Sequence, residues 1–229
     1  ISNAGNGMGG AGTTTAGLIS GRQPSSSTEE WLGAGVAVNA WASGGSMNSA
    51  RGNVISHAGT QTAALGYGGS DATANVALNE AYNGTSWTEL ADLNTGRLRL
   101  AAAKNGTTTA TLAIAGEVPP NSDTVNVESW NGSSWTEIAN VNTARRLLGG
   151  AGTSTSAIGF AGTTAHPSST GETAIAEEWN GSAWSEVGDL NTARFSMASA
   201  GENAENALAI SGNTGSVTAV VEKWDGTSW

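Results

Sequence analysis

The stretch "ESWNGSSWTEIANVNTARR", residues 128–146, decides the fold. It sets Trp130 and Trp135 on either side of an Asn-Gly pair, and an arginine, Arg145, follows ten residues after Trp135. Asn-Gly between strand-like segments is the strongest short hairpin signal, because both residues accept positive φ. Two strands joined by "NGSS" are therefore predicted. Loops of two or four residues both satisfy the pattern, and the four-residue count places Trp130 opposite Trp135.

The same pattern recurs along the chain, and an internal repeat governs the fold more strongly than any local propensity. The second aromatic of each pair is Trp41, Trp87, Trp135, Trp184 and Trp229, at spacings of 46, 48, 49 and 45 residues. The first is Trp31, Tyr82, Trp130, Trp179 and Trp224, so these positions hold all nine tryptophans. Ten residues after the second aromatic stand Arg51, Arg97, Arg145 and Arg194. Between arginine and aromatic lies an apolar run ending in glycine, as in "TLAIAG" and "AIGFAG".

Each unit reads as four short strands: an Ala/Gly-rich segment after the arginine, the apolar run, the strand into the first aromatic, and the strand leaving the second. A lone sheet of small residues cannot bury its faces, so neighbouring units must stack on it. Four strands every 45–49 residues is the signature of an all-β propeller of about five four-stranded blades. The units are 1–50, 51–96, 97–144, 145–193 and 194–229, the last truncated, within a single domain, 1–229. A window on a six- or seven-bladed ring is the alternative. The opening "ISNAG" aligns with "VNTAR", with Gly5 where arginine is expected, and the chain stops at the start of a fourth strand. It reads as a piece of a longer polypeptide. The tryptophans are expected between blades, where each buried ring removes ~150–250 Å² from water, an upper bound of roughly 4–6 kcal/mol apiece.

Taken together, the order of arginine, apolar strand, glycine and paired aromatics resembles the kelch repeat. Residues 144–194, "ARRLLGGAGTSTSAIGFAGTTAHPSSTGETAIAEEWNGSAWSEVGDLNTAR", follow that order throughout. Departures are the Gly-Gly pair, intact only at Gly68-Gly69, the short hairpin, and a turn without proline. The Thr/Asn/Gly-rich, lysine-poor style is similar to kelch-like propellers of bacterial viruses and bacterial surface proteins. That resemblance implies a structural or adhesive role on a virion or extracellular surface. The implied partners are structural proteins of the same assembly or a surface glycan, with homo-oligomerisation left open.

Composition narrows the function. A formal charge of −10 with nine Lys plus Arg disfavours a nucleic-acid partner, which needs a basic stripe, and disfavours anionic lipid. No apolar run reaches the length of a membrane helix. The absence of cysteine removes thiolate nucleophiles and thiolate metal sites. His57 and His166 lie at different phases of different units, so a metal site is not expected. No cofactor motif and no Ser/His/Asp set is evident, and no enzymatic activity is expected.

Repeated polar residues belong to scaffold. Arg51, Arg97, Arg145 and Arg194 are expected to bond carbonyls or the preceding blade's acid, and Glu30, Glu128, Glu178 and Glu222 recur near the aromatics. Arg99 and Arg146 read as rim charges. The triplets at Asn83, Asn105, Asn131 and Asn180 match the glycosylation pattern, but turn chemistry already accounts for them. What varies is the connector between second and third strands: 22–28, 70–75, 117–123, 163–172 and 213–216. Such loops on a rigid scaffold carry binding. The candidate contacts are Arg22, Gln23, Asp71, Glu117, Asp123, His166 and Glu172. A lectin that stacks sugars on the repeated tryptophans is the alternative, and a polysaccharide-acting enzyme a more distant one. Inter-blade tryptophans should give blue-shifted emission that acrylamide quenches weakly. Quenching as efficient as that of free tryptophan would place the rings in solvent and favour the lectin.

Overall fold

The Asn-Gly turns are closed by their own side chains. Asn131 Oδ1 accepts the backbone N–H groups of Ser133 and Ser134, both at 2.9 Å, and Gly132 takes φ 95°. Asn83, Asn180 and Asp225 do the same in their units. The loop has four residues, so Trp130 lies directly opposite Trp135, Tyr82 opposite Trp87 and Trp179 opposite Trp184; the longer first hairpin also sets Trp31 opposite Trp41.

The computed structural model describes residues 9–12, 16–22, 25–32, 40–53, 56–71, 73–165 and 171–229. It is all-β, a set of antiparallel sheets arranged as a β-propeller. The first sheet comprises β1 (Gly9–Gly12), β2 (Ala16–Arg22), β3 (Ser25–Leu32) and β4 (Ala40–Ser43). The second comprises β5 (Ser56–Thr60), β6 (Ala63–Tyr67), β7 (Asn79–Tyr82) and β8 (Trp87–Glu89). In the third, β9 (Ala101–Ala102) and β10 (Thr111–Ile114) precede a small hairpin, β11 (Glu117–Val118) and β12 (Ser122–Asp123). β13 (Val127–Trp130) and β14 (Trp135–Glu137) complete that sheet. The fourth holds β15 (Gly149–Gly152), β16 (Ala157–Phe160), β17 (Ala176–Trp179) and β18 (Trp184–Val187). The last holds only β19 (Ala198–Asn203), β20 (Asn206–Ile210) and β21 (Val221–Trp224). Thus four blades are four-stranded and complete, where about five were expected. The fifth sheet has three strands, because its fourth would begin at Trp229, the last residue.

Sheet stacks on sheet by one rule. In the second to fourth sheets alternate residues of the second strand face the following sheet and are large, while their neighbours face the preceding sheet and are small; β2 departs from this, with Ser20 forward and Ile19 backward. Leu112 and Ile114 meet Ala157, Trp179 and Trp184 in one core cluster, while Ile158 and Phe160 meet Ala207, Ala209 and Trp224 in the next. Leu65 and Tyr67 pack on Ala113, Trp130 and Trp135 in the same way. The aromatic pairs therefore fill the seams. Ring centroids are 5.4 Å apart for Trp130–Trp135 and 4.9 Å for Tyr67–Trp135 across the seam, offset geometries that aromatic quadrupoles favour.

Glycine ends the second strand for a backbone reason. In Gly162 φ is 104°, and a Cβ there would lie 2.7 Å from the carbonyl oxygen of Arg146. Its N–H donates to the carbonyl of Arg194 at the start of the next unit, 2.9 Å away. Gly116 repeats this with Arg145, and Gly69 with Arg97.

The repeat arginines are fully buried, and each pairs with the glutamate two residues before the first aromatic. Arg97–Glu128 is 2.8 Å, Arg145–Glu177 2.9 Å, Arg194–Glu222 2.7 Å and Arg51–Glu80 3.3 Å. The acid belongs to the arginine's own blade, which corrects the expected pairing with the preceding one. The carbonyl contacts are present: Arg145 donates to Gly159 O and Arg51 to Gly66 O. The acids in register are Glu29, Glu80, Glu128, Glu177 and Glu222, so Glu30 and Glu178 lie one residue off and face the next sheet instead. There Glu30 accepts from Tyr82 Oη, and Glu178 from Trp224 Nε1 at 2.9 Å.

The second carboxylate oxygen is also occupied. Asn142, in the turn before the fourth sheet, donates to Glu177 Oε2 from its backbone N–H at 2.6 Å and from Nδ2 at 2.8 Å. Asn48, Asn94 and Asn191 repeat the bond on Glu80, Glu128 and Glu222. Desolvation pulls the Arg145 guanidinium below its ordinary pKa, and Glu177 pulls it back up. Deleting one partner of such a pair strands a buried charge at about 3–5 kcal/mol. Glu177→Ala is therefore expected to lower the urea-unfolding free energy by that amount, and Glu177→Gln by less, because the amide still accepts from Asn142.

Candidate functional site

In the second to fifth sheets the connectors between second and third strands leave at one repeat position, each tied by an isolated bridge to the segment just after the unit's arginine: Gly52 to Ser70, Leu98 to Glu117, Arg146 to Thr163, Phe195 to Asn213. They share one face of the propeller. In the middle of it the third sheet's connector forms the β11–β12 hairpin, whose Glu117 pairs with Asp123 in register around a cis Pro119–Pro120 bond.

Two arginines hold this hairpin. Arg99 Nη1 donates to Glu117 Oε2 at 2.8 Å. Arg146 lies 3.6 Å from the same carboxylate through Nε and donates from Nη1 to Asp123 Oδ1 at 2.7 Å. Its Nη2 bonds the carbonyl of Ala165 in the fourth sheet's connector, at 2.6 Å. On the other side, Asn75 Nδ2 in the second sheet's connector donates to Glu117 O at 3.1 Å. One hydrogen-bonded line thus crosses three blades, from Asn75 through the hairpin and Arg146 to Ala165.

Burial separates the roles. Glu117 is 4% exposed, and Arg146 is 3% exposed. The Arg99 side chain is 35% exposed, the most open of the four. Arg99 is held from below: its φ is 56°, and its carbonyl accepts the N–H of Leu147 at 2.8 Å. Two carboxylates against two guanidiniums leave the cluster neutral. It can offer a preorganised cation to a carboxylate, sulfate or hydroxyl-rich ligand, and both of its carboxylates are engaged by the arginines.

Of the candidate contacts, Glu117 and Asp123 are brought together. Asp71 is turned back on its own loop, accepting from the Thr73 hydroxyl and from the Thr73 and Ala74 N–H groups, which hold its carboxyl below the usual range. Glu172 accepts the N–H of Gly171 and is likewise lowered. Gln23 and His166 lie outside the described residues, as does the side chain of Arg22. Arg99 and Arg146, taken from the sequence as rim charges, are the residues that reading missed. The signal was present in the doublets "RLR" and "RR": these arginines break the repeat, beside ones that obey it.

The other polar contact of chemical interest is His57 Nε2 to Ser20 Oγ, 2.6 Å apart across the seam of the first two sheets. Both residues are 1% exposed, so no substrate reaches the hydroxyl. Burial, with Arg51 and Lys104 nearby, depresses the imidazole pKa from 6.5 to about 3. Among the described residues no group of three His, Cys, Asp or Glu is placed to hold a metal ion.

A scan against models of known protein families finds no match, and a search of curated proteins finds no relative. The readings of this chain therefore rest on its own residues.

The depressed His57 pKa makes stability pH-dependent. Between pH 6.5 and about 3 the unfolded chain binds a proton that the folded chain refuses. Stability from this group is complete above 6.5 and is lost as pH falls through that window. From pH 7 to pH 5 the loss is about 2 kcal/mol. Urea titrations at both pH values should show it, and His57→Gln should remove that part of the slope.

Proposed function

We propose that this chain is a non-enzymatic interaction module, a kelch-like propeller that binds protein or glycan through the connector face. The observation that carries the reading is the Arg99–Glu117–Arg146–Asp123 cluster. It is the place where charged groups outside the repeat converge on a rigid support and reach solvent. The repeated polar groups are consumed inside the blades by Arg–Glu–Asn bonding. The kelch reading is supported by the order of arginine, glycine-ended apolar strand and paired aromatics. The compositional style supports a virion or extracellular surface as its place, and structural proteins of the same assembly or surface glycans as its partners.

The lectin alternative draws on stacking against the repeated aromatics. Tyr82, Trp87, Trp130, Trp135, Trp179, Trp184 and Trp224 are all buried, which favours the connector loops over the indoles as the contact.

The test is direct. Fluorescently labelled protein is applied to arrays of bacterial capsule and O-antigen polysaccharides and to whole bacterial cells. Arg99→Ala removes one charge-assisted contact, worth about 1.5–3 kcal/mol, and should weaken binding about tenfold or more while circular dichroism is unchanged. Release of reducing ends from any of these polysaccharides, abolished by a single loop substitution, would replace the module with an enzyme. Binding untouched by Arg99→Ala would move the contact off this face.

A further inference from the structure

One cation breaks the repeat at the propeller axis. The first strands of successive sheets pack on one another there, β5 on β9, β9 on β15 and β15 on β19. Near the ends of β1, β5 and β15, one register position is held by Gly12, Gly59 and Gly152. At the last two φ is 109° and 98°, and a Cβ would lie 2.2 Å from the carbonyl oxygen of Ala63 or Ser156. Continuing the Ala102–Ala113 register puts Lys104 at this position in the third sheet. There β9 has already ended at Ala102, and the turn from Lys104 to Thr111 is two residues longer than that from Gly152 to Ala157. The longer turn frees the position from the glycine requirement.

The lysine is held at both ends. Its carbonyl accepts the N–H of Gly59 in the second sheet at 3.5 Å, and the N–H of Asn105 donates to Gly152 O in the fourth at 2.8 Å. The side chain spans the fourth sheet, whose first strand is glycine at 149, 150 and 152, and Nζ donates to Ser199 O in the fifth at 3.1 Å. Asn105 Nδ2 makes the same crossing to Glu202 O, at 3.1 Å.

No acid meets the ammonium. Arg51, Arg97, Arg145 and Arg194 each have a glutamate, Arg99 and Arg146 share Glu117 and Asp123, and Lys223 is exposed. Among the described residues Lys104 is the half-buried cation whose polar partner is a neutral carbonyl. Glu202 offers its carbonyl to Asn105 and is itself exposed, Arg51 is a like charge, and His57 on β5 is neutral at pH 7. Desolvation pulls the amine from 10.5 down to about 8, with no carboxylate to restore it. A desolvated charge is unfavourable until paired, and this ammonium keeps two further N–H donors on a fixed stem.

We propose that Lys104 holds a small oxyanion, a carboxylate or a phosphate, at the end of the propeller axis remote from the connector face. It lies beside the turns from first to second strands, and the connectors leave the opposite end of those second strands.

The sequence contains two lysines, Lys104 and Lys223, so ε-13C labelling gives one resonance for each. In chloride the Lys104 signal should titrate at about 8. Inorganic phosphate or acetate at equal ionic strength should raise that midpoint toward 10.5 and leave Lys223 unmoved. An anion that prefers the charged amine raises its pKa, so its stabilisation is present at pH 7 and fades as pH climbs past the midpoint. A response to phosphate alone assigns a tetrahedral oxyanion, and a response to acetate assigns a carboxylate. The same anion should raise the melting temperature at pH 7, and Lys104→Met, folded by circular dichroism, should lose that rise. Three results would each overturn the proposal: a Lys104 midpoint that neither anion moves, an equal movement of Lys223, or anion stabilisation that survives Lys104→Met.

Discussion

The blades are locked by a buried glutamate with two clients. One carboxylate oxygen takes the arginine that opens its own unit, and the other takes the asparagine of the turn that delivers the chain into that unit. An unpaired guanidinium in an apolar interior is strongly unfavourable, so the arginine cannot be seated unless the third strand has brought its glutamate into register. The Asn Nδ2 then reaches the carbonyl of the second aromatic, as Asn94 does to Trp135 at 3.2 Å. First, third and fourth strands are thereby fixed relative to one another by side chains 28 to 41 residues apart. The geometry recurs in four units, which is what makes each sheet a copy of its neighbour.

Stacking follows from asymmetry within one strand. A four-residue apolar run alternates large and small because its two faces meet different surroundings. The large side chains enter the space that small residues of the next sheet leave free, and the aromatic pair closes the outer part of the seam. Glycine is imposed where the run ends, since its N–H must reach the next unit's arginine carbonyl at a positive φ that leaves no room for a Cβ.

The connector face obeys a different economy. Its segments differ in length and composition, yet each begins at the same bridge, so their variation is displayed from a common edge. In the third blade the variation includes two acids that recruit Arg99 and Arg146 from the segments leading into the third and fourth sheets. Cooperative charge pairing there links the connectors of three blades and leaves one guanidinium at the surface.

Residues alone determined the repeat, the four-strand unit, the Asn-Gly hairpins and the location of the tryptophans between sheets. These rest on local turn chemistry and on spacing, both of which are legible in one dimension. Glu117 and Asp123 were legible as loop acids for the same reason. Their partners were not: Arg99 meets Glu117, 18 residues on, only through the Leu98–Glu117 bridge of its own unit, and Arg146, 23 residues from Asp123, meets it only when the third and fourth blades stack. The choice between Glu177 and Glu178 as the buried acid was likewise decided by strand register, which sends adjacent residues to opposite faces. Ile210 and Phe160 occupy the same repeat position, yet one is half-buried and the other wholly buried. Composition cannot distinguish them; only the presence or absence of a sheet above them does.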